Sequence, residues 1–79
     1  MRKFENEELK AVCCNKCSKP LVVEKGIIKE GCYNGDVVWG YFSTMDGIRH
    51  NFDLCEDCYQ SMIRAFAIPV EVNDETEFV

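Results

Sequence analysis

The sequence predicts a small α+β domain, in which a cysteine-bearing turn and an antiparallel hairpin or meander of three to four strands precede one C-terminal helix. Three observations support this fold class. Segments of high β propensity, separated by glycine-containing turns, fill the middle of the chain. Apolar residues recur with a helical period after residue 58. Two Cys-x-x-Cys pairs flank the strand-rich region.

Length and charge limit what the chain can do. Its 79 residues fit one domain, and a domain of this size buries only about 60% of its unfolded surface, so it needs a metal, disulfides or a partner. Residues 1–30 hold seven Lys/Arg against five Asp/Glu, whereas residues 31–79 hold two against nine. Phosphate backbones repel such an acidic chain unless a local basic face overrides the total charge. The candidates for that face are Lys10, Lys16, Lys19, Lys25 and Lys29.

The two ends of the chain are predicted to lie outside the domain. Residues 1–12 are interpreted as a charged lead-in with a short helical turn across Asn6–Lys10, and residues 73–79 as an acidic tail, which leaves 13–72 as a single domain. The N-terminus lacks the apolar region of a secretory signal, and no apolar run approaches the ~20 residues that span a bilayer. We therefore expect a cytoplasmic protein, in which paired cysteines bind metal more often than they form disulfides.

Strands are predicted from β propensity and turn signals. Asn34-Gly35 is typical of a hairpin turn, because both residues tolerate positive φ, and Asp46-Gly47 marks a second turn. In the last strand Ile48, His50, Phe52 and Leu54 share one face. In chain order the predicted strands are Leu21–Val23, Ile27–Tyr33, Val37–Phe42 and Ile48–Leu54.

The period changes at the second cysteine pair, where a helix is predicted. Asp53 and Glu56 have the spacing of a capping box at its start, and Pro69 is expected to end it. The alternation in Ile68–Val72 then predicts a short edge strand. The apolar stripe that should pack on the sheet consists of Tyr59, Met62, Ile63, Phe66 and Ala67.

The two Cys-x-x-Cys pairs predict a metal site. Each pair lets two thiolates converge from one tight turn, and four soft ligands in a tetrahedron suit Zn²⁺. We therefore predict one structural zinc ion per chain, held by Cys14, Cys17, Cys55 and Cys58. Four protein ligands leave no open position for water or substrate, which is typical of a structural site and not of a catalytic one.

Several other residues keep more than one interpretation. Cys13 offers an alternative ligand for the first pair, and Cys32 is read as a small buried hydrophobe with a redox or second metal role as the alternative. His50 is interpreted as a plain strand residue, the alternatives being that it orients or replaces a ligand. The aromatics Trp39, Tyr41 and Phe42 are expected to pack in the core or at an edge, with a stacking platform for nucleic acid as the alternative.

The order of a cysteine knuckle, a hairpin and a helix that begins with the second pair resembles the treble-clef zinc fold. The resemblance rests on Cys14–Lys19 and on Asp53–Tyr59. The run Asp53–Tyr59 is similar to that in small zinc-binding proteins of bacterial or phage type and unknown function. The resemblance implies a metal and an architecture but no particular function, because treble clefs serve many unrelated roles. Ser18 departs from the pattern at the position where glycine commonly follows the knuckle, and 37 residues separate the two pairs.

The favoured function is a non-enzymatic zinc-stabilised module for protein interaction or adaptor binding. A single histidine leaves little for acid–base catalysis at neutral pH, and no phosphate-binding glycine loop is present in the sequence. The Ile68–Val72 edge offers a surface for a homodimer or for a partner strand. A nucleic-acid-binding zinc finger and a thiol redox protein are the alternatives.

Overall fold

The computed structural model describes residues 1–75, and it confirms a small α+β fold. Within that range seven strands form three separate antiparallel sheets, and one helix follows them. The elements are β1 (Arg2–Glu5), β2 (Glu8–Cys13), β3 (Pro20–Leu21), β4 (Val23–Glu24), β5 (Ile27–Ile28), β6 (Cys32–Val38), β7 (Arg49–Cys55) and α1 (Glu56–Arg64). The first sheet has the order β1-β2-β3, while β4 pairs with β5 and β6 pairs with β7.

The first twelve residues form a β-hairpin that packs with the rest of the molecule. Strands β1 and β2 are joined by the two residues Asn6 and Glu7, whose φ angles are 50° and 67°. Positive φ at both central residues is what a two-residue hairpin turn of the primed type requires. The predicted helical turn across Asn6–Lys10 is therefore wrong, and the segment expected as a lead-in contributes two strands to the first sheet.

A second tight hairpin lies between β4 and β5. Its turn is Lys25-Gly26, with φ angles of 52° and 78°. The strands predicted at Leu21–Val23 and Ile27–Tyr33 are each broken in the structure. Leu21 belongs to β3 and Val23 to β4, because Pro20 and Leu21 pair back onto β2 before the chain turns away.

The longest pairing is the ribbon of β6 and β7, which runs in continuous register from Cys32 opposite Cys55 to Val38 opposite Arg49. The predicted turn at Asn34-Gly35 is wrong, since both residues lie inside β6. Gly35 sits directly opposite Phe52, and a Cβ at this position would collide with the Phe52 ring. The glycine therefore serves close packing and not chain reversal.

Chain reversal in this ribbon occurs farther along, between Val38 and Arg49, in a loop that includes the predicted turn at Asp46-Gly47. The predicted strand Val37–Phe42 survives only at Val37 and Val38. Tyr41 and Phe42 lie in the loop, where they are 83% and 98% exposed, so the expectation that they pack in the core or at an edge is wrong. Trp39 is half-buried.

The helix confirms the change of period at the second cysteine pair but is shorter than predicted. It ends at Arg64 with Ala65 as its C-cap, so Phe66 and Ala67 lie beyond it and Pro69 does not terminate it. Tyr59 and Met62 pack against the core as expected. Phe66 is 46% exposed and does not complete the stripe.

After the helix the described chain has no regular secondary structure. The edge strand predicted at Ile68–Val72 is not formed, and Ile68 and Val72 are more than 80% exposed. Part of the predicted acidic tail, residues 76–79, lies outside the described residues. Among the residues that are described, no helix has the length and apolar character that crossing a membrane requires.

The core is small, and cysteine supplies much of it. Its fully buried members come from β2, β3, the end of β7 and the two cysteine turns. Partly buried side chains from β4, β5, the ribbon and the helix pack around them. The buried apolar residues are Leu9, Val12, Cys14, Leu21, Leu54, Cys55 and Cys58.

Candidate metal centre

Four cysteines, two from each Cys-x-x-Cys pair, meet at one point in the structure. Cys14 and Cys17 lie in the turn between β2 and β3, Cys55 ends β7, and Cys58 lies in the first turn of α1. Their Sγ atoms all lie within 4.8 Å of one another. The predicted convergence of the two pairs, separated by 37 residues of chain, is thus found in the fold.

The spacing of the sulfur atoms fits a tetrahedral metal. Metal–sulfur bonds of about 2.3 Å place the corners of a regular S₄ tetrahedron about 3.8 Å apart. The Sγ atoms of Cys17 and Cys55 are 3.7 Å apart. Four thiols of this spacing, three of them buried, form a donor set suited to one ion that prefers sulfur.

The first pair is held by the geometry of its turn. The amide of Cys14 donates to the carbonyl of Lys19 at 2.9 Å, and the amide of Ser18 donates to the carbonyl of Cys14 at 2.9 Å. Ser18 has φ of 72°, in the left-handed region that glycine adopts without strain. The position at which the sequence departs from the treble-clef pattern is therefore a position that calls for glycine.

The second pair is held by the start of the helix. Cys55 is the N-cap residue, with extended backbone angles and no side-chain cap, so Cys58 follows it within the first turn. The predicted capping box of Asp53 and Glu56 is wrong, because Glu56 is the first helical residue and Asp53 lies two residues before the cap. Free amides at a helix N-terminus favour thiolate over thiol.

The protonation of the cluster favours a bound cation. Burial opposes ionisation of Cys14, but hydrogen bonds from the backbone of Cys55, Cys17 and Lys16 outweigh it and lower the pKa of Cys14 to about 6. Burial, together with the neighbouring sulfurs, raises the pKa of Cys58 to about 12. Four thiolates this close repel one another, and a dication would let all of them ionise at neutral pH.

A polar network centred on the Asp53 side chain connects β7, next to the second cysteine pair, with the N-terminus, β1 and β6. The Asp53 side chain is 1% exposed and accepts hydrogen bonds from Arg2 Nε and Nη2, from Asn34 Nδ2 and from the amino group of Met1. These partners outweigh the cost of burial and lower the pKa of Asp53 to about 2. Among the described residues, no buried side-chain polar atom lacks a partner.

The backbone of Asp53 is hydrogen-bonded to Asn15 in the turn that holds the first cysteine pair. Its amide donates to Asn15 Oδ1 at 2.9 Å, and its carbonyl accepts from the amide of Asn15 at 2.8 Å. Asn15 lies between Cys14 and Cys17, and Asp53 lies two residues before Cys55. This reciprocal pair, the Asn15–Asp53 clamp, joins the knuckle to β7 through protein atoms alone.

Sequence reasoning missed the clamp because alternation placed Asp53 on the polar face of its strand. The signal available was an Asn inside the first cysteine pair together with an Asp just before the second. Asn side chains commonly bond to backbone groups, but the bonds that sequence predicts join near neighbours, whereas Asn15 and Asp53 are 38 residues apart.

The two remaining cysteines lie outside the cluster. Cys32 Sγ is 3.8 Å from Asp53 Oδ1, and burial followed by the negative charge of Asp53 raises the pKa of the Cys32 thiol. Cys32 is half-buried, which fits its interpretation as a small core residue at the periphery. Cys13 ends β2 and is also half-buried.

His50 lies on the ribbon, away from the four sulfurs. It faces Val37 in register, is exposed, and accepts a hydrogen bond from Trp39 Nε1 at 3.3 Å. The candidate metal group in the described part of the chain contains cysteines only. The interpretation of His50 as a strand residue agrees with this position.

Two of the lysines considered for a basic face are engaged with carboxylates. Lys10 Nζ lies 3.3 Å from Glu8 Oε1, and Lys19 Nζ lies 3.3 Å from Glu30 Oε1. Glu30 in turn accepts a hydrogen bond from the amide of Val22. These contacts offset positive charge close to the knuckle.

Comparison with protein-family models, with curated proteins and with solved structures gives no match to this chain. The geometry of the cysteine cluster is therefore the basis for the function proposed below.

Proposed function

We propose that the chain is a structural zinc domain of treble-clef type, which holds one Zn²⁺ between Cys14, Cys17, Cys55 and Cys58. The observation that carries this proposal is the convergence of four Sγ atoms within 4.8 Å. Zinc has no geometric preference of its own and accepts four thiolates in a closed tetrahedron, so sulfur alone at this spacing favours it over metals that need oxygen or nitrogen ligands.

The module acts in protein interaction and not in catalysis. Four cysteine ligands fill a tetrahedral ion and leave it no position for a substrate. Support for an interaction role comes from exposed apolar side chains, which include Val38 and Phe42 at the ribbon tip and Ile68 after the helix. The Ile68–Val72 segment forms no strand in this structure, but its exposed Ile68 and Val72 support the proposal that it pairs with a second copy or with a partner strand.

Native mass spectrometry of the purified chain tests this function. We expect one zinc per chain with all six cysteines reduced, and the same spectrum reports whether a homodimer forms. A second spectrum, of a variant that lacks residues 69–79, reports whether that deletion abolishes the homodimer. Loss of two hydrogens per cysteine pair with no bound metal would refute the zinc role, because it would identify disulfides in place of thiolates.

A cysteine substitution separates ligands from other thiols. Cys58→Ser should abolish stoichiometric zinc binding and lower the free energy of unfolding by several kcal/mol, because metal binding and folding are coupled. Cys13→Ser is the matched control, since Cys13 lies outside the cluster. We expect the Cys13→Ser protein to retain one zinc per chain. Full zinc occupancy and unchanged urea denaturation of Cys58→Ser would contradict the assignment.

A further inference from the structure

The four sulfurs of the metal centre differ in their access to solvent. Cys14 and Cys55 are 2% exposed and Cys58 is 9% exposed, whereas Cys17 is exposed. Cys17 lies on the outer side of the knuckle, where Lys16 and Ser18 are exposed as well. Reaction of a cysteine with an oxidant requires thiolate character and access, so Cys17 is the ligand that a small oxidant meets first.

One sulfur close to Cys17 belongs to the other pair. Cys17 Sγ lies 3.7 Å from Cys55 Sγ, and Cys55 ends β7 at the helix N-terminus. A bond between these two sulfurs would cross from the knuckle to the helix. A bond within either Cys-x-x-Cys pair would not connect the two halves of the site.

We propose that Cys17 is a peroxide-sensitive thiol and that its oxidation produces a Cys17–Cys55 disulfide, which replaces the metal as the link between knuckle and helix. This inference rests on the structural-zinc role proposed above. It adds to that role a defined oxidised form of the protein.

The chemistry balances with hydrogen peroxide as the oxidant. The Cys17 thiolate attacks one peroxide oxygen, the O–O bond breaks, and hydroxide leaves with Cys17 as a sulfenic acid. The Cys55 thiolate then attacks that sulfur, the S–S bond forms, and the S–O bond breaks to release a second hydroxide. Two protons from solvent convert the hydroxides to water, so two thiolates lose two electrons in total and peroxide gains them.

Oxidation of this kind releases the metal without opening the site. Only Cys14 and Cys58 remain as thiolates, which is too few to hold a zinc ion in a closed site. The chain keeps a covalent link between residues 17 and 55, next to the hydrogen bonds of the Asn15–Asp53 clamp. The oxidised protein should therefore stay folded, unlike reduced protein from which zinc has been removed.

The test follows zinc-loaded protein during titration with hydrogen peroxide. A chromogenic chelator reports zinc release, dimedone traps sulfenic acid, and peptide mass mapping locates both the adduct and the disulfide. We expect a dimedone adduct on Cys17 in the sample that contains dimedone. In a parallel sample without dimedone we expect a Cys17–Cys55 disulfide and release of one zinc per disulfide formed. The far-UV circular dichroism of this oxidised protein should match that of the zinc-loaded protein.

Histidine substitutions provide a matched pair of variants, because imidazole also binds zinc but has no oxidisable sulfur. Cys17→His should slow peroxide-driven zinc release about tenfold or more, since it removes the accessible thiolate. Cys58→His replaces a buried ligand, and its release rate should stay within about twofold of the original. If neither variant holds zinc, the mapping of the unsubstituted protein decides the question.

The outcomes of the two proposals can be told apart. Untreated protein without zinc would refute the structural-zinc role itself. Zinc-loaded protein in which the first disulfide forms within one Cys-x-x-Cys pair, or in which oxidation unfolds the chain as fully as zinc removal does, would overturn the proposed switch and leave the zinc role intact.

Discussion

At the scale of single residues, Asp53 makes hydrogen bonds to three other segments of the chain, through its carboxylate and its backbone amide. It joins Arg2 of β1, Asn34 of β6 and the knuckle residue Asn15, although its own strand is β7. A buried carboxylate is costly unless it is fully bonded, and Asp53 is fully bonded. Its charge is therefore a contribution to folding that can be measured.

Asp53→Asn should lower the free energy of unfolding by about 2 kcal/mol at pH 7, since a pKa displaced from 3.8 to about 2 corresponds to that amount. Because the folded pKa is lowered, this contribution is complete above pH 4 and is lost as the pH falls through 2. Urea denaturation of both zinc-loaded proteins at pH 7 measures the difference, because at low pH protons compete with the metal for the thiolates and release it.

Asp36→Asn is the matched control for that experiment. Asp36 is also ion-paired, with Arg49, but this pair lies on the surface and should contribute much less. A loss of stability in Asp53→Asn that is no larger than the loss in Asp36→Asn would contradict this role of the Asp53 charge.

Ser18 is the second residue whose role is specific to its position. With φ of 72° it carries strain that glycine would not, so Ser18→Gly should stabilise the protein by about 0.5–1 kcal/mol. Thermal or urea denaturation of the zinc-loaded protein measures the change. Lys16→Gly in the same turn is the control, because Lys16 has no positive φ and glycine there should destabilise.

At the scale of elements, the β6–β7 ribbon depends on a glycine in its middle. Gly35→Ala should destabilise the protein by about 1–3 kcal/mol, because the new methyl group would collide with the Phe52 ring across the ribbon. Gly40→Ala is the matched control, since no atom lies within 4 Å of a Cβ built at Gly40. Equal urea midpoints for the two variants would contradict this packing role.

The same glycine shows where prediction from sequence failed. Asn34-Gly35 has the composition of a hairpin turn, yet the turns form at Asn6-Glu7 and Lys25-Gly26, where the sequence signal is weaker. Turn propensity is local, whereas the register of β6 is set by its pairing with seven residues of β7. Tertiary pairing thus overrode local preference at Asn34-Gly35.

Other elements were predictable because their signals agreed. The β7 strand was expected at Ile48–Leu54 and lies at Arg49–Cys55, since alternation and a preceding turn pointed to the same segment. The four cysteines were predictable because two Cys-x-x-Cys pairs in one chain are typical of a shared metal site. The N-terminal hairpin was not, because β1 is exposed throughout and the two buried residues of β2, Leu9 and Val12, do not follow the alternation of a strand.

At the scale of the whole molecule, three small sheets and one short helix enclose few buried residues. Three of the seven buried apolar residues are cysteines of the cluster. Apolar burial contributes about 25 cal/mol per Å², so a core of this size stabilises little, and the metal proposed for the cysteine cluster would add to it. Three of the four cysteines proposed as metal ligands are thus also part of the buried core.

Two kinds of link hold the first sheet to the ribbon and helix. One is the cysteine cluster, and the other is the polar network of Asp53 with the Asn15–Asp53 clamp. Both join the knuckle to the end of β7, so they reinforce one another. This doubled connection explains why an oxidised chain that has lost its metal is expected to keep its fold.

The burial of β7 increases steadily along the strand, from exposed Arg49 to buried Cys55. One end of the ribbon is therefore fixed to the metal centre, and the other end, with Tyr41 and Phe42, extends away from it. In evolutionary terms the loop between Val38 and Arg49 is free to diversify. Residues added in pairs to β6 and β7 preserve the alternation of side chains between the two faces of the ribbon. Related chains can therefore lengthen the ribbon or change its loop without altering any of the four cysteines.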